Sequence, residues 1–120
     1  MSAYPVGPGK TTIAIEVLVT IARLSALKVP GVSRMSPTPG RAVKGLFKRS
    51  QASDGVIIEV KDDMVYADLY VVLENGVNLK DVGRQIQSEV DRAITELVGM
   101  QVGRIDVHVE DIDYPQELEA

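Results

Sequence analysis

Four groups of residues in this chain are of types, and at spacings, that could do chemistry. The first is Gly7-Pro-Gly-Lys-Thr-Thr12, which ends like a phosphate-binding loop. In such a loop glycines present backbone N–H groups to the anion, a lysine reaches the outer phosphates and a hydroxyl binds magnesium. The complete motif needs a glycine five residues before Gly9, where Tyr4 stands, and a buried strand leading in, which Met-Ser-Ala cannot supply. No aspartate follows an apolar strand in the arrangement that would hold the metal. The stretch reads as a turn, and Lys10 is given no nucleotide.

The second group is His108 with Asp106 and Glu110 two residues to either side, a spacing that puts all three on one face of a strand. Three such groups could bind a cation weakly, but there is no cysteine and no second histidine. A solvated charged face is therefore expected, with no metal and no cofactor. The third is Asp68 between Tyr66 and Tyr70. It could be a general base; the expectation is a cross-hairpin pair with a group such as Lys61. Tyr66, Asp68, Tyr70 and His108 together form a candidate partner-binding surface, since aromatics are enriched at interfaces. The fourth is the cation set Arg34, Arg41, Lys44, Lys48 and Arg49 with Phe47 as an apolar anchor. That combination suits phosphates, an anionic lipid surface or an acidic partner. None of the four is a catalytic constellation.

The elements that must position these groups follow from periodicity. Residues 1–9, with two prolines and two glycines, read as a lead-in, and Lys10–Ile13 as a short strand. Val17, Ile21 and Leu24, with Leu18, Ala22 and Ser25, recur at helical spacing up to Pro30-Gly31, where proline and glycine end a helix. Val32–Ser36 reads as a strand, and residues 37–55 as a long polar loop. Val56, Ile58 and Val60, then Val65, Ala67, Leu69, Val71 and Leu73, alternate with more polar neighbours around Asp62-Asp63. That pattern predicts a β-hairpin with one buried face. The second helix carries the stripe Val82, Ile86, Val90, Ala93 or Ile94, and Leu97, with Asn78 as N-cap, Asp81 in the first turn and Gly99 after the end. A last strand has Ile105, Val107 and Val109 on one side and Arg104, Asp106, His108 and Glu110 on the other.

The sum is an α+β domain in the order (β)αβ–loop–ββαβ, two layers, with two helices on one face of a small mixed sheet. It is expected to span residues 10–112 and to be followed by an acidic tail, 113–120. A chain of 120 residues, 45% apolar and 25% charged, suffices for one self-supporting core. The stretch Ile13–Leu27 contains Glu16 and Arg23 and is short of the ~20 apolar residues of a membrane span. A cytoplasmic location is expected. Net charge is −4, which disfavours a dedicated nucleic-acid binder. The charge is nevertheless polarised: six cations and no acid lie between Lys28 and Arg49, while Glu110–Ala120 holds five acids and no base.

Several segments carry a family resemblance. Gly9-Lys-Thr-Thr-Ile-Ala-Ile-Glu-Val-Leu18, Ile21-Ala22, Val29-Pro-Gly-Val32, Gly55-Val-Ile-Ile-Glu-Val60, Ala67-Asp-Leu-Tyr-Val-Val-Leu-Glu-Asn-Gly-Val-Asn78 and Val102-Gly-Arg-Ile-Asp-Val-His-Val109 occur in this order. Together they resemble the alkaline shock protein family of bacterial envelope stress response proteins, over roughly residues 9–112. The resemblance implies a non-enzymatic cytoplasmic protein that self-associates and is held at the inner face of the membrane by a separate anchor protein. It brings no catalytic residues. The long basic loop departs from the family pattern. The alternative function is an anionic-ligand module, for RNA or anionic lipid, built on Arg34, Arg41, Lys44, Lys48 and Arg49.

Overall fold

In a computed structural model of the chain, residues 9–40 and 50–114 are described. Helix α1 spans Ile15–Leu27 and helix α2 Leu79–Ala93; the strands are β1 (Val32–Met35), β2 (Ser50–Ser53), β3 (Val56–Lys61), β4 (Met64–Glu74) and β5 (Gln101–Asp113). The fold is α+β, with two helices on a mixed five-stranded sheet.

β4 organises the sheet. Along one side it pairs in parallel with β5, from Met64↔Gln101 to Glu74↔Asp113. This is the pairing that a β–α–β crossover through α2 produces. Its other side is shared end to end by two antiparallel strands, β3 (Val56↔Leu69 to Lys61↔Met64) and β1 (Val32↔Leu73 to Met35↔Val71). Where β1 and β3 meet, the Tyr70 carbonyl accepts from Ser36 N at 2.8 Å and Tyr70 N donates to the Gly55 carbonyl at 2.7 Å. No backbone group of Tyr70 is therefore stranded at the junction.

Two tight hairpins fix the register. Asp62 and Asp63 have φ of 53° and 61°, and Asp54 and Gly55 have 49° and 81°; two successive positive φ values give the turn whose twist matches the flanking strands. The second turn makes β2, so the polar stretch 37–55 is not all loop: Ser50–Ser53 pairs with Val56–Glu59. The remaining expected loop, residues 41–49, lies outside the described residues.

Two expectations change at the first element and a third at the hairpin. Lys10–Ile13 is not a strand; Lys10, Thr11 and Thr12 are exposed coil leading to α1. Thr-Thr favours extended geometry, but no described strand runs beside it to complete a ladder. The buried face of α1 is Leu18, Val19, Ala22 and Ala26, while Val17 and Leu24 are 46% and 51% exposed. The helix is apolar nearly all round, so periodicity alone does not select a face, and the alanine pair permits the closest approach. The third concerns the single buried face expected of the hairpin: β4 is buried on both sides from Leu69 to Leu73. Ile57, Tyr70 and Val72 are buried outside the helix-side core.

That core gathers Leu18, Ala22 and Ala26 of α1, Val56 and Ile58 of β3, alternate residues of β4, and Val82, Ile86, Val90 and Ile94. Asn78 caps α2, its Oδ1 accepting from Asp81 N at 3.1 Å, one of the orphan donors of a helix start. After Ala93 the chain makes a π-helical turn, Ile94–Val98, ending on Gly99 at φ 78°. The wider turn shifts the stripe by one residue. Val98 packs on the core in place of Leu97, which is 75% exposed rather than buried as its spacing predicted.

Candidate interaction surface

Both helices cover one face of the sheet, and the parallel β4–β5 ladder sets the chemistry-bearing residues in register on the other. Tyr66 lies beside Arg104, Asp68 beside Asp106 and Tyr70 beside His108. All four candidate surface residues thus share this face, three on β4 and one on β5. They differ in exposure: Tyr70 is buried, whereas Tyr66, Asp68 and His108 are half-buried.

Asp68 does not meet Lys61, which stands opposite Met64 in the hairpin. Its partner is His108, whose Nε2 is 3.0 Å from Asp68 Oδ1. The His108 ring is stacked on Tyr70, with centroids 4.4 Å apart and planes 11° from parallel. A histidine held on one side by a carboxylate and on the other by an aromatic ring has few rotamers left, so the surface is ordered before any partner arrives. The pairing was hidden in the sequence because the two residues are 40 apart and the register that joins them comes from a crossover, not a turn.

One ladder step away, Arg104 Nε contacts Asp106 Oδ2 at 2.8 Å and its guanidinium lies over the Tyr66 ring, 5.5 Å from the centroid. Tyr66 in turn lies across Gly103: a Cβ there would come within 2.5 Å of the ring. An edge-strand glycine covered by a neighbouring aromatic is a recurrent way of filling a sheet surface. Sequence reasoning assigned no role to Arg104 beyond the wet side of its strand or to Gly103.

Asp106 is committed to Arg104, and Glu110 follows the register shift that moves pairing from Val71↔Val109 to Val72↔Asp111. The expected i, i+2, i+4 alignment of Asp106, His108 and Glu110 is therefore broken. Among the described residues no three such side chains converge on a point that could hold a metal ion.

Arg34 sits on β1, within the strand expected over Val32–Ser36, and is tied to the end of β5. Its Nε and Nη2 donate to Asp113 Oδ2 and Oδ1 at 3.1 and 3.2 Å, and Ser33 Oγ donates to Asp113 Oδ2 at 2.5 Å. Asp113, placed in the tail by its sequence, is the last residue of β5. The Ser33 hydroxyl, then Arg34, hold its carboxyl below the usual aspartate value, and the Arg34 guanidinium is raised in return. A depressed carboxyl stabilises above its unfolded pKa and loses that contribution as pH falls through the folded value. Acidification below the ordinary aspartate range should therefore release the end of β5 while the sheet centre persists. Amide exchange at Asn75, whose N–H donates to the Asp113 carbonyl, should accelerate first; uniform acceleration across β5 would contradict the assignment. Of the remaining basic set, Arg41, Lys44, Phe47, Lys48 and Arg49 lie outside the described residues.

The Gly9–Thr12 half of the opening motif is exposed coil, and α1 begins only at Ile15 after an extended Ala14. A phosphate cradle needs the glycine loop to run straight into the helix so that its first N–H groups face the anion. Here Lys10 and both threonines precede the helix.

Among the described residues no helix is long and apolar enough to cross a membrane. Comparison with known proteins identifies relatives and a fold. The Bacillus subtilis protein YqhY is 27% identical over 106 residues, covering 88% of this chain and 78% of its own. The Streptococcus pyogenes protein Spy1535 is 28% identical over 105 residues, with 87% and 79% covered. Among solved structures, a MamM CTD variant superposes with a TM-score of 0.50 at 13% identity, covering 84% of this chain and 100% of that one; at that identity it bears on fold alone. The sequence pattern of the alkaline shock protein 23 family, described by a cell envelope-related function, matches residues 5–114. The chain belongs to that family.

Proposed function

We propose that this chain is a non-enzymatic docking and assembly protein of the cell envelope, working from the cytoplasmic side by self-association and by binding a membrane-anchored partner. The observation that carries this reading is the ordered face, free of helices among the described residues, built on Tyr66, Asp68, Arg104 and His108. Its charged groups are paired within the face, Asp68 with His108 and Asp106 with Arg104. Aromatic rings flanked by arginine are the composition of interface hot spots, and ring and ion-pair contacts made beforehand lower the ordering cost of binding. Membership of a family with a cell envelope-related function supports the location.

The alternative, an anion-binding module, loses one of its members, because Arg34 is already neutralised by Asp113. Sedimentation velocity of the full chain across protein concentration and salt tests the proposal. Reversible association that weakens when Tyr66 and Arg104 are both replaced by alanine is the expected result. A monomer at every concentration, or binding to RNA or anionic vesicles that falls steeply with salt, would overturn it.

A further inference from the structure

Asn75-Gly76 and Asp54-Gly55 are the two places in the chain where an asparagine or aspartate precedes glycine, and Asn78 is the one other asparagine. Asparagine is among the chemically labile side chains. The amide nitrogen of the residue that follows can attack its side-chain carbonyl carbon and close a five-membered ring. The rate depends on how freely that nitrogen approaches, and glycine, with no Cβ and with both signs of φ open to it, obstructs the approach least. The fold treats the three sites differently.

Asn75 and Gly76 stand in the turn between β4 and α2, and both are exposed. Gly76 has φ of 92°, and nothing lies within 4 Å of where its Cβ would be. Among the described residues no group bonds the Asn75 side-chain amide or the Gly76 N–H. Asp54-Gly55 is the opposite case. Gly55 is buried, its N–H donates to Thr38 Oγ1 at 2.8 Å, and the Ser36 and Tyr70 carbonyl oxygens crowd its Cα. The Gly55 nitrogen cannot turn toward the Asp54 carboxyl without opening the β1/β3 junction. Asn78 is held as well, its Oδ1 accepting from Asp81 N at 3.1 Å. The residue after it is Leu79, whose nitrogen is fixed by the first turn of α2.

We infer that Asn75 is a self-modifying site: in the folded protein its side-chain amide is converted by water into an aspartyl or isoaspartyl link that resets the β4–α2 turn. The Gly76 nitrogen gives its proton to hydroxide and bonds to Asn75 Cγ. The Cγ–Nδ2 bond breaks, ammonia leaves with a proton returned by water, and a succinimide remains. Water adding at Cγ breaks the new bond to Gly76 and leaves an aspartate. Water adding at the main-chain carbonyl carbon breaks the original bond to Gly76, so that the chain runs on through Cβ and Cγ. In both cases one water enters, one ammonia leaves and a neutral amide becomes a carboxylate.

The isoaspartyl link lengthens by one backbone atom a turn that is held at both ends. Asn75 N–H donates to the Asp113 carbonyl at 3.1 Å, Val77 packs on the core beside Gly31, and Asn78 caps α2. A longer turn cannot keep all three, so the end of β5 and the first turn of α2 loosen. The conversion needs no second copy or partner and stands apart from the assembly reading above.

Peptide mapping by mass spectrometry tests this on the full chain, incubated in ¹⁸O-enriched water at neutral and mildly alkaline pH, both folded and in urea. The expected result in the folded chain is conversion at Asn75 with one ¹⁸O taken up, faster at the higher pH and as fast as in urea. Asp54 should stay unmodified until urea frees Gly55, and Asn78 should stay unmodified throughout. Asn75→Gln should lose the reaction, because a six-membered ring closes far more slowly. In the isoaspartyl fraction, amide exchange at position 75 and at Asp81 should be faster than in the unmodified chain. Conversion at Asn75 much slower folded than in urea, or equal conversion at Asp54 in the folded chain, overturns the site. Conversion with unchanged exchange at both amides overturns the resetting of the turn.

Discussion

Gly55→Ala should be among the most damaging single substitutions in this chain, lowering stability by about 2–5 kcal/mol. Two costs combine. Gly55 has φ of 81°, a region in which a side chain is strained by roughly 1–3 kcal/mol. A Cβ would also run into the Ser36 and Tyr70 carbonyl oxygens, which are backbone atoms of the sheet and cannot turn aside as a side chain would. Overpacking of this kind typically adds about 1–3 kcal/mol. The position is the junction where β1 gives way to β3 along β4, and Tyr70 N is bonded to the Gly55 carbonyl. The substitution should therefore also loosen the Tyr70–His108 stack. Urea unfolding followed by circular dichroism gives the stability change, and the His108 ring resonances report the stack. An unchanged midpoint would mean that the β1/β3 junction is not built as described.

The second large effect separates two neighbouring residues. Ile94→Ala should cost about 2–5 kcal/mol, the range for emptying a fully buried aliphatic site. Leu97→Ala should stay within about 0.5 kcal/mol, as exposed substitutions do. Ile94 is 0% exposed and Leu97 75%, and the difference comes from the π-helical turn that closes α2. An uninterrupted α-helix would bury Leu97 three positions after Ile94 and make both substitutions costly. Comparable losses at the two sites would remove the π turn from the account.

These cases also show where sequence reasoning reaches and where it stops. Helix α2 was legible to its ends because its signals are local: the Asn78 cap, Asp81 in the first turn and Gly99 at φ 78°. The β3–β4 hairpin was legible because strict alternation brackets a two-residue turn. β2 was missed although Asp54-Gly55 is a strong hairpin signal, since Ser-Gln-Ala-Ser has no apolar alternation to mark it as a strand. The face of α1 was misread because apolar residues on several sides leave the choice to tertiary packing, and the π turn leaves no composition mark.

The candidate surface follows the same division. Tyr66, Asp68, Tyr70 and His108 were picked out individually by type and alternation. Their assembly depends on the parallel β4–β5 register, a long-range feature set by the α2 crossover. That register is why Asp68 meets His108 and not Lys61, and why Arg104 joins Tyr66. Arg34 was grouped with the cations of the loop that follows its strand because they share its charge, yet its spatial neighbour is Asp113, 79 residues away.

The central claim, that the side of the sheet opposite α1 and α2 is where this chain meets itself, is tested most directly by a concentration series of ¹⁵N-correlation spectra on the full chain. Shifts that move with protein concentration should be confined to β5 and to Tyr66, Asp68 and their neighbours on β4. Shifts centred instead on the exposed faces of α1 and α2, or spectra that do not change at all, would contradict it.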